Sequence, residues 1–268
     1  MQSDTIRAMT PPRARAAIAA AFLTQGLVFI SLTTRLPAVT RQFVLGELGL
    51  SLVLLLVVLL AGAGSVAAEQ IARRRDSATM LRTGLLVMAA SVPALALAPA
   101  LPVFVAAIGV YGVALGLVDA TINMQGVALE HRVDHPLLPS FHGMWTLGGV
   151  IGAAITLATS HWSWTAVGWL AVVPLVVAFA PFLRRDHGIV DVGGHVVPWR
   201  PIILVGIGMV LFYMVDTAAA TWGPTYLDGT FDAPHRLVAL ATFASMFRWR
   251  SCSKASSSSM RRTRRSGS

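Results

Sequence analysis

The run Leu48-Gly-Leu-Ser-Leu-Val-Leu-Leu-Leu-Val-Val-Leu-Leu-Ala-Gly-Ala-Gly-Ser-Val-Ala-Ala68 decides the fold class of this chain. It carries no charge, and a bilayer core about 30 Å thick needs about 20 apolar residues per helical span. Backbone polar groups in lipid must be satisfied within the segment, so a run of this length is predicted to be a transmembrane helix. An outer-membrane barrel would show short alternating strands instead.

Six further apolar runs accompany this one along the chain. The seven predicted spans are Ala16–Leu36, Leu48–Ala68, Leu81–Ala98, Pro102–Leu129, Leu138–Ala158, Thr165–Leu183 and Pro201–Tyr226. Charged residues make up 12% of the sequence and the mean hydropathy is +0.69, whereas soluble domains carry about 25% charged residues. The sequence therefore predicts an all-α, polytopic membrane protein.

Arginines are distributed unevenly between the predicted loops. With the N-terminus in the cytoplasm, the cytoplasmic side holds eleven arginines, and the outer side holds only Arg35, Arg41 and Arg236. Such a bias predicts a cytoplasmic N-terminus in the inner (plasma) membrane, and it argues against a seven-helix receptor. The uncharged run from Ala16 to Thr34 is longer than the core of a signal peptide, which is about 7–15 residues.

The net charge of +9 comes mostly from the end of the chain. The last 22 residues contain six Arg, Lys254 and no acid, so the body is nearly neutral and no nucleic-acid partner is expected. An eighth apolar run begins at Leu237 and stops at Met246. We interpret the Ser- and Arg-rich tail 247–268 as an out-of-frame end on a truncated gene; the alternative is a natural disordered tail that touches anionic lipid.

Asp119 is the most informative polar residue, because it lies near the middle of the fourth span. Steps of three and four residues place it on one helix face with Gly112, Gly116 and Asn123. An ionised Asp at that depth costs about 2.5–3.5 kcal/mol on insertion scales. It is expected to face a cavity or a partner, or to take up a proton. The alternative is a hydrogen bond to a neighbouring helix without a transport role.

Four other residues are candidates for substrate binding or proton coupling. His142, near the cytoplasmic end of the fifth span, is of a type that titrates near neutral pH, but it could equally pack or cap. Asp216 lies near the middle of the seventh span, and Trp222 follows it and could be an interfacial anchor. Arg35 closes the first span, where it could gate, bind substrate or snorkel to the surface.

Several of these residues belong to motifs of a known family. The motifs are Thr34-Arg35-Leu-Pro37, Gly116-Leu-Val-Asp119-Ala-Thr-Ile-Asn123-Met-Gln125, Glu130, His142-Gly-Met-Trp145-Thr-Leu-Gly148-Gly149 and Asp216 to Trp222. In their order and spacing, the chain from Ala16 to Met246 resembles major facilitator transporters of the branch that includes the fucose permeases. In those permeases an acid followed four residues later by Asn serves proton coupling and sugar binding, and Asp119 and Asn123 match that pair.

The resemblance implies a domain organisation. It is a cytoplasmic N-terminus (1–15), an N-terminal six-helix bundle (16–183), a central cytoplasmic loop (184–200), the start of a second half with helix 7 and part of helix 8 (201–246), and the tail (247–268). A full member has twelve helices, with the substrate site between its halves, so the chain is expected to be truncated.

The function implied is proton-coupled transport of a small polar, sugar-like solute, with the lipid bilayer and protons as the other partners. Drug or metabolite efflux is one alternative, and a non-transporting membrane protein or gene remnant is another. Phosphate loops, His-Glu-x-x-His zinc sites and Gly-x-Ser-x-Gly elbows are missing from the sequence. We therefore expect no enzyme activity, no cofactor and no metal.

Overall fold

The computed structural model describes residues 11–72, 74–159 and 161–183, and further along the chain 199–201, 203–208, 210–211 and 214–215. The helices are α1 (Pro11–Thr33), α2 (Leu36–Phe43), α3 (Glu47–Ala72), α4 (Ser77–Ala96), α5 (Leu101–Val133), α6 (Leu138–Ala158), a 3₁₀ helix (Trp164–Ala171) and α7 (Val172–Val177). Five of them are long and apolar enough to cross a membrane, and no strand occurs among the described residues. The prediction of an all-α, polytopic membrane protein is confirmed.

The chain divides into two compact units, Met1–Asp191 and Val192–Ser268. The first contains all the named helices. In the second, the described residues between 199 and 215 are helical, and those from Pro201 onward fall in the seventh predicted span.

Helix α1 lies in the centre of the first unit. It packs along α6 and also contacts α5, α7 and the 3₁₀ helix, while α5 is held between α3 and α4. The core between these helices contains the fully buried side chains of Ile18 and Phe22 from α1, Leu85 from α4, and Phe104 and Ile122 from α5. Because α5 contacts four of the other helices, polar residues on different faces of α5 lie beside different helices.

Two helix pairs approach so closely that only glycine fits between them. In the α1–α6 pair, a Cβ on Gly148 would overlap the carbonyl oxygen of Leu23. In the α3–α5 pair, a Cβ on Gly116 would overlap the carbonyl oxygen of Ala61. Small residues are typical of membrane helix interfaces, where dispersion contacts rather than the hydrophobic effect hold helices together.

Polar side chains at the helix ends satisfy backbone groups that the helices leave free. Asp76 precedes α4, and its carboxylate accepts a hydrogen bond from the Thr79 N–H at 2.6 Å. Glu130 lies near the end of α5, and its carboxylate accepts hydrogen bonds from the backbone N–H groups of Leu137 and Leu138 at the start of α6. Both carboxylates lie at helix N-termini, where the helix dipole favours a negative charge.

The first and sixth predicted spans differ from the observed helices. The first is interrupted after Thr33, and the separate helix α2 follows it. The sixth, predicted as one helix over Thr165–Leu183, consists of the 3₁₀ helix and the six residues of α7. Pro174 explains part of this difference, since proline has no N–H and fits only the first turn of an α-helix.

Candidate functional site

Asp119 lies near the middle of the 33-residue helix α5. Its side chain is exposed on the surface of the first unit, and its Oδ1 accepts a hydrogen bond from Gln25 Nε2 of α1 at 3.1 Å. Asn123 follows one turn later, and its Nδ2 donates to the backbone oxygen of Asp119 at 2.8 Å. The carboxylate therefore has one side-chain partner across the bundle and an open side.

The face that Asp119 shares with glycines changes neighbours along its length. Gly112 lies against Val57 and Gly116 against Ala61, both on α3. One turn beyond Gly116, Asp119 is bonded to α1 instead. The glycines thus hold α3, and the carboxylate follows directly after this contact.

His142 lies in the second turn of α6 and is exposed. Its Nδ1 is 3.0 Å from the carbonyl oxygen of Leu138, and its ring centroid is 5.3 Å from that of Phe22 on α1. Since Phe22 and Gln25 are three residues apart on α1, one stretch of that helix contacts both titratable candidates. His142 stands on Phe22, and Asp119 bonds to Gln25.

Arg35 lies in the link between α1 and α2 and contacts the far end of α6. Its Nη2 donates to the Thr159 backbone oxygen at 3.1 Å and to the Thr159 hydroxyl, and its Nη1 donates to the Ser163 backbone oxygen at 3.5 Å. Partial burial lowers the pKa of the guanidinium from its usual value. A cation near the last carbonyl groups of a helix is favourable, so the Arg35 guanidinium caps the C-terminal end of α6.

Two predicted site residues, Asp216 and Trp222, lie outside the described residues. Within the described residues, no three His, Cys, Asp or Glu side chains come together in a way that could hold a metal ion.

A polar contact that periodicity alone could not reveal centres on Gln125. Its side chain is fully buried, and its Nε2 donates to the Ser77 hydroxyl at 2.7 Å and to the Leu183 backbone oxygen at 3.0 Å. Its Oε1 accepts from the Leu183 N–H at 2.9 Å. Nearby, Arg82 Nη2 donates to the Ala180 backbone oxygen at 3.1 Å. Together these side chains join the start of α4, the last third of α5 and the chain that leaves α7.

Two proteins that are named as transporters are similar to this chain. It is 29% identical over 236 residues to an uncharacterized transporter from Sinorhizobium fredii, a match covering 82% of this chain and 60% of that protein. It is 27% identical over 165 residues to an uncharacterized MFS-type transporter from Yersinia pestis, covering 60% of this chain and 40% of that protein. The chain therefore spans at most about three fifths of the length of these relatives. No family model matches the sequence.

Proposed function

We propose that this chain is the N-terminal part of a major facilitator transporter that moves a small polar, sugar-like solute together with protons. The observation that carries the proposal is the placement of Asp119. This carboxylate lies in the middle of a long apolar helix, is held by Gln25 of the central helix α1, and keeps one side open.

Energetics support a role for Asp119 beyond packing. A charge at the middle of a span costs about 2.5–3.5 kcal/mol on insertion scales, and such residues mark ion and substrate pathways. In transporters built from two repeats, the substrate and coupling-ion sites lie near the midplane between the halves. An open carboxylate at that depth is suited to load a proton from one side and release it to the other.

The residues around Asp119 supply groups that a polar solute needs. The amide of Asn123 and the imidazole of His142 present hydrogen-bonding groups, and the His142 ring packs against the buried ring of Phe22. On the sequence pattern alone, we also propose roles in substrate binding or proton coupling for Asp216 and Trp222. Arg35 is assigned to the outer end, where opening or closing of the α1–α6 contact would change its bonds to Thr159.

The names of the two relatives support transport as the activity. One is named a transporter and the other an MFS-type transporter, and neither name states a substrate or a coupling ion. The sugar-like solute and the proton are therefore proposed from Asp119 and Asn123 and from the fucose permease resemblance.

Transport is tested by reconstitution in vesicles that contain a pH-sensitive dye. The 268-residue chain is compared with the same chain extended by the part of the Sinorhizobium fredii relative that it does not match. Addition of a monosaccharide from a panel should acidify the vesicles that hold the extended protein. Asp119→Asn should abolish this proton movement but preserve exchange of labelled solute, because the amide still forms hydrogen bonds but cannot titrate.

The matched control is Thr121→Val, since the buried Thr121 hydroxyl bonds only within its own helix. This variant should acidify the vesicles as the parent does. Solute movement that needs no proton gradient, or outward movement of apolar drugs, would favour the efflux alternative. Correct insertion without movement of any solute would favour a non-transporting membrane protein.

Orientation is tested by reporter fusions after Arg75 and after Asp228. The arginine distribution predicts that the first reporter lies in the cytoplasm and the second outside. If both reporters lie on the same side, the proposed topology is wrong.

A further inference from the structure

Gln25 is a buried amide with one of its two polar atoms unused. Its side chain is only 3% exposed, and its Nε2 donates to Asp119. Its Oε1 has no hydrogen-bond partner among the described residues. A buried acceptor without a partner is costly, and each such group in a folded protein calls for an explanation.

The backbone of α1 lies directly against α6 beside Gln25. Directly after Gln25, a Cβ on Gly26 would overlap the carbonyl oxygen of Trp145 on α6, so the two helices touch at this point. The preceding Thr24 hydroxyl donates within its own helix, to Ala20 at 2.7 Å. The Gln25 amide is therefore held beside Asp119, and its neighbours do not use its oxygen.

The two protonation states of Asp119 require opposite partners. An ionised carboxylate only accepts hydrogen bonds, whereas a protonated carboxyl also donates one. A primary amide offers both roles, and a half-turn about its last side-chain bond exchanges the N–H and C=O groups. With Asp119 ionised, the Gln25 N–H donates to it; with Asp119 protonated, the carboxyl O–H donates to Gln25 Oε1. The proton itself arrives from water on the exposed side of Asp119.

We propose that Gln25 is a positioning residue that hydrogen-bonds Asp119 in both protonation states. This inference rests on the proposed function, in which Asp119 binds and releases a proton. The bond to the charged carboxylate is the stronger of the two, so Gln25 favours the ionised state and promotes proton release. It also keeps the carboxyl against α1 while the proton comes and goes.

Few other titratable groups lie on the helices packed around this pair, and α4 contributes Arg82, whose guanidinium donates to the Ala180 backbone oxygen. Helix α1 has none between Arg15 and Arg35, and α3 has Glu69 as its nearest acid. On α6, His142 contacts Phe22. On α5 the next acid is Glu130, whose carboxylate is bonded to the start of α6. His142 is thus the group whose charge must be separated experimentally from that of Asp119.

The test is infrared difference spectroscopy of the 268-residue chain in phosphatidylcholine vesicles over a range of pH. The C=O band of protonated Asp119 is identified as the band that disappears in Asp119→Asn. In Gln25→Met, which preserves the length of the side chain, this band should reach half its height about one pH unit higher, a tenfold change in proton affinity. Its frequency should also rise, because the acid has lost its acceptor.

Two control variants make the readout specific. Thr24→Val removes a buried hydroxyl from the same turn of α1 without touching Asp119, and it should leave the band unchanged. His142→Gln removes the nearby imidazole, and the Gln25→Met shift should persist in that background. A Gln25→Met spectrum with unchanged midpoint and frequency would overturn the proposal.

A second measurement does not depend on whether Gln25→Met folds. In the unaltered protein the Asp119 band should have the frequency of a hydrogen-bonded acid, and the frequency of a free acid would overturn the role of Gln25. If no Asp119 band appears at any pH at which the chain stays folded, both this inference and the proton-coupled function fail. If the band behaves as expected but no solute moves in the vesicle assay, only the transport proposal fails.

Discussion

The α1–α6 and α3–α5 pairs use the same contact and have different surroundings. Each pair is joined where a glycine meets a carbonyl oxygen of its partner, at Gly26 and Gly148 in the first and at Gly64 and Gly116 in the second. In the first pair, 61% of the α1 span is buried, and it includes the polar side chain of Gln25. In the second, only 11% of the α3 span is buried, and α3 packs along α5 and little else.

This difference shows that a glycine contact joins helices without deciding how firmly they are held. Helix α1 packs against α6, α5, α7 and the 3₁₀ helix, so it can present a polar group to Asp119 with a defined geometry. Helix α3 is held along one seam and exposes Leu55, Val58 and Leu59 on its other faces. The four predictions below separate the contact itself from its surroundings.

The largest effect is expected from Gly148→Ala. Its Cβ would overlap the Leu23 carbonyl oxygen, and α1 also packs against α5, α7 and the 3₁₀ helix, which oppose its displacement. Overpacking typically costs 1–3 kcal/mol and sometimes more, and we expect about 3 kcal/mol or more of lost unfolding free energy here. The free energy of unfolding is measured in detergent, with circular dichroism as the signal. Gly143→Ala on the same helix, with open space around it, is the control and should not lower stability, because alanine is favoured over glycine within a helix by about 0.5–1 kcal/mol.

A smaller loss is expected from Gly64→Ala in the α3–α5 pair. Its Cβ would overlap the Val113 carbonyl oxygen, but α3 can move outward, since it packs along α5 and makes only a few contacts with α4. We expect a cost of about 1–2 kcal/mol in the same unfolding assay, with Gly62→Ala as the control because nothing lies near that glycine. A cost equal to that of Gly148→Ala would show that burial of the surroundings has no influence.

A substitution between α1 and α3, at the end of α2, is expected to increase the free energy of unfolding rather than lower it. Val44 ends α2 with φ 52° and ψ 45°, a left-handed conformation that is unfavourable for a β-branched residue by about 1–2 kcal/mol. Val44→Asn should raise the free energy of unfolding by about 1 kcal/mol, since asparagine tolerates this conformation. Arg41→Asn, also exposed, serves as the comparison. If Val44→Asn destabilises the protein, the left-handed turn is not a source of strain.

The smallest effect is expected from Ser65→Ala. The Ser65 hydroxyl of α3 donates to the Gly116 backbone oxygen of α5 at 3.1 Å. Hydrogen bonds between membrane helices contribute about 0.6 kcal/mol on average. Ser51→Ala is the control, because that hydroxyl bonds within α3. A loss well above 1 kcal/mol in the same unfolding assay would mean that hydrogen bonding, rather than glycine packing, holds α3.

Hydropathy predicted which parts of the chain are helical spans better than it predicted their ends. The fifth span was placed at Leu138–Ala158, and α6 has the same limits. The first span was extended through Arg35 to Leu36, because an apolar run does not reveal where the backbone leaves the helix. For the same reason the short helix α2 was missed. The sixth span was predicted as a continuous helix although Gly168 and Pro174 lie within it.

The candidate site divides in a similar way. Periodicity placed Asp119 on a face with Gly112, Gly116 and Asn123, which depends only on local spacing. It could not supply Gln25, which is 94 residues away in sequence from Asp119, because the contact depends on how α1 crosses α5. The roles of these residues in proton coupling and binding remain predictions, as do those of Asp216 and Trp222.

The Gln125 contact has a mechanical consequence. Tension applied to the chain beyond Leu183 would be borne first by the two hydrogen bonds between the Leu183 backbone and the Gln125 side chain of α5, which also donates to Ser77. At about 1.5 Å of rise per residue, Gln125 stands about 9 Å along the helix axis from Asp119. A force on the chain after Leu183 would therefore act on α5 through Gln125, less than two helical turns from Asp119.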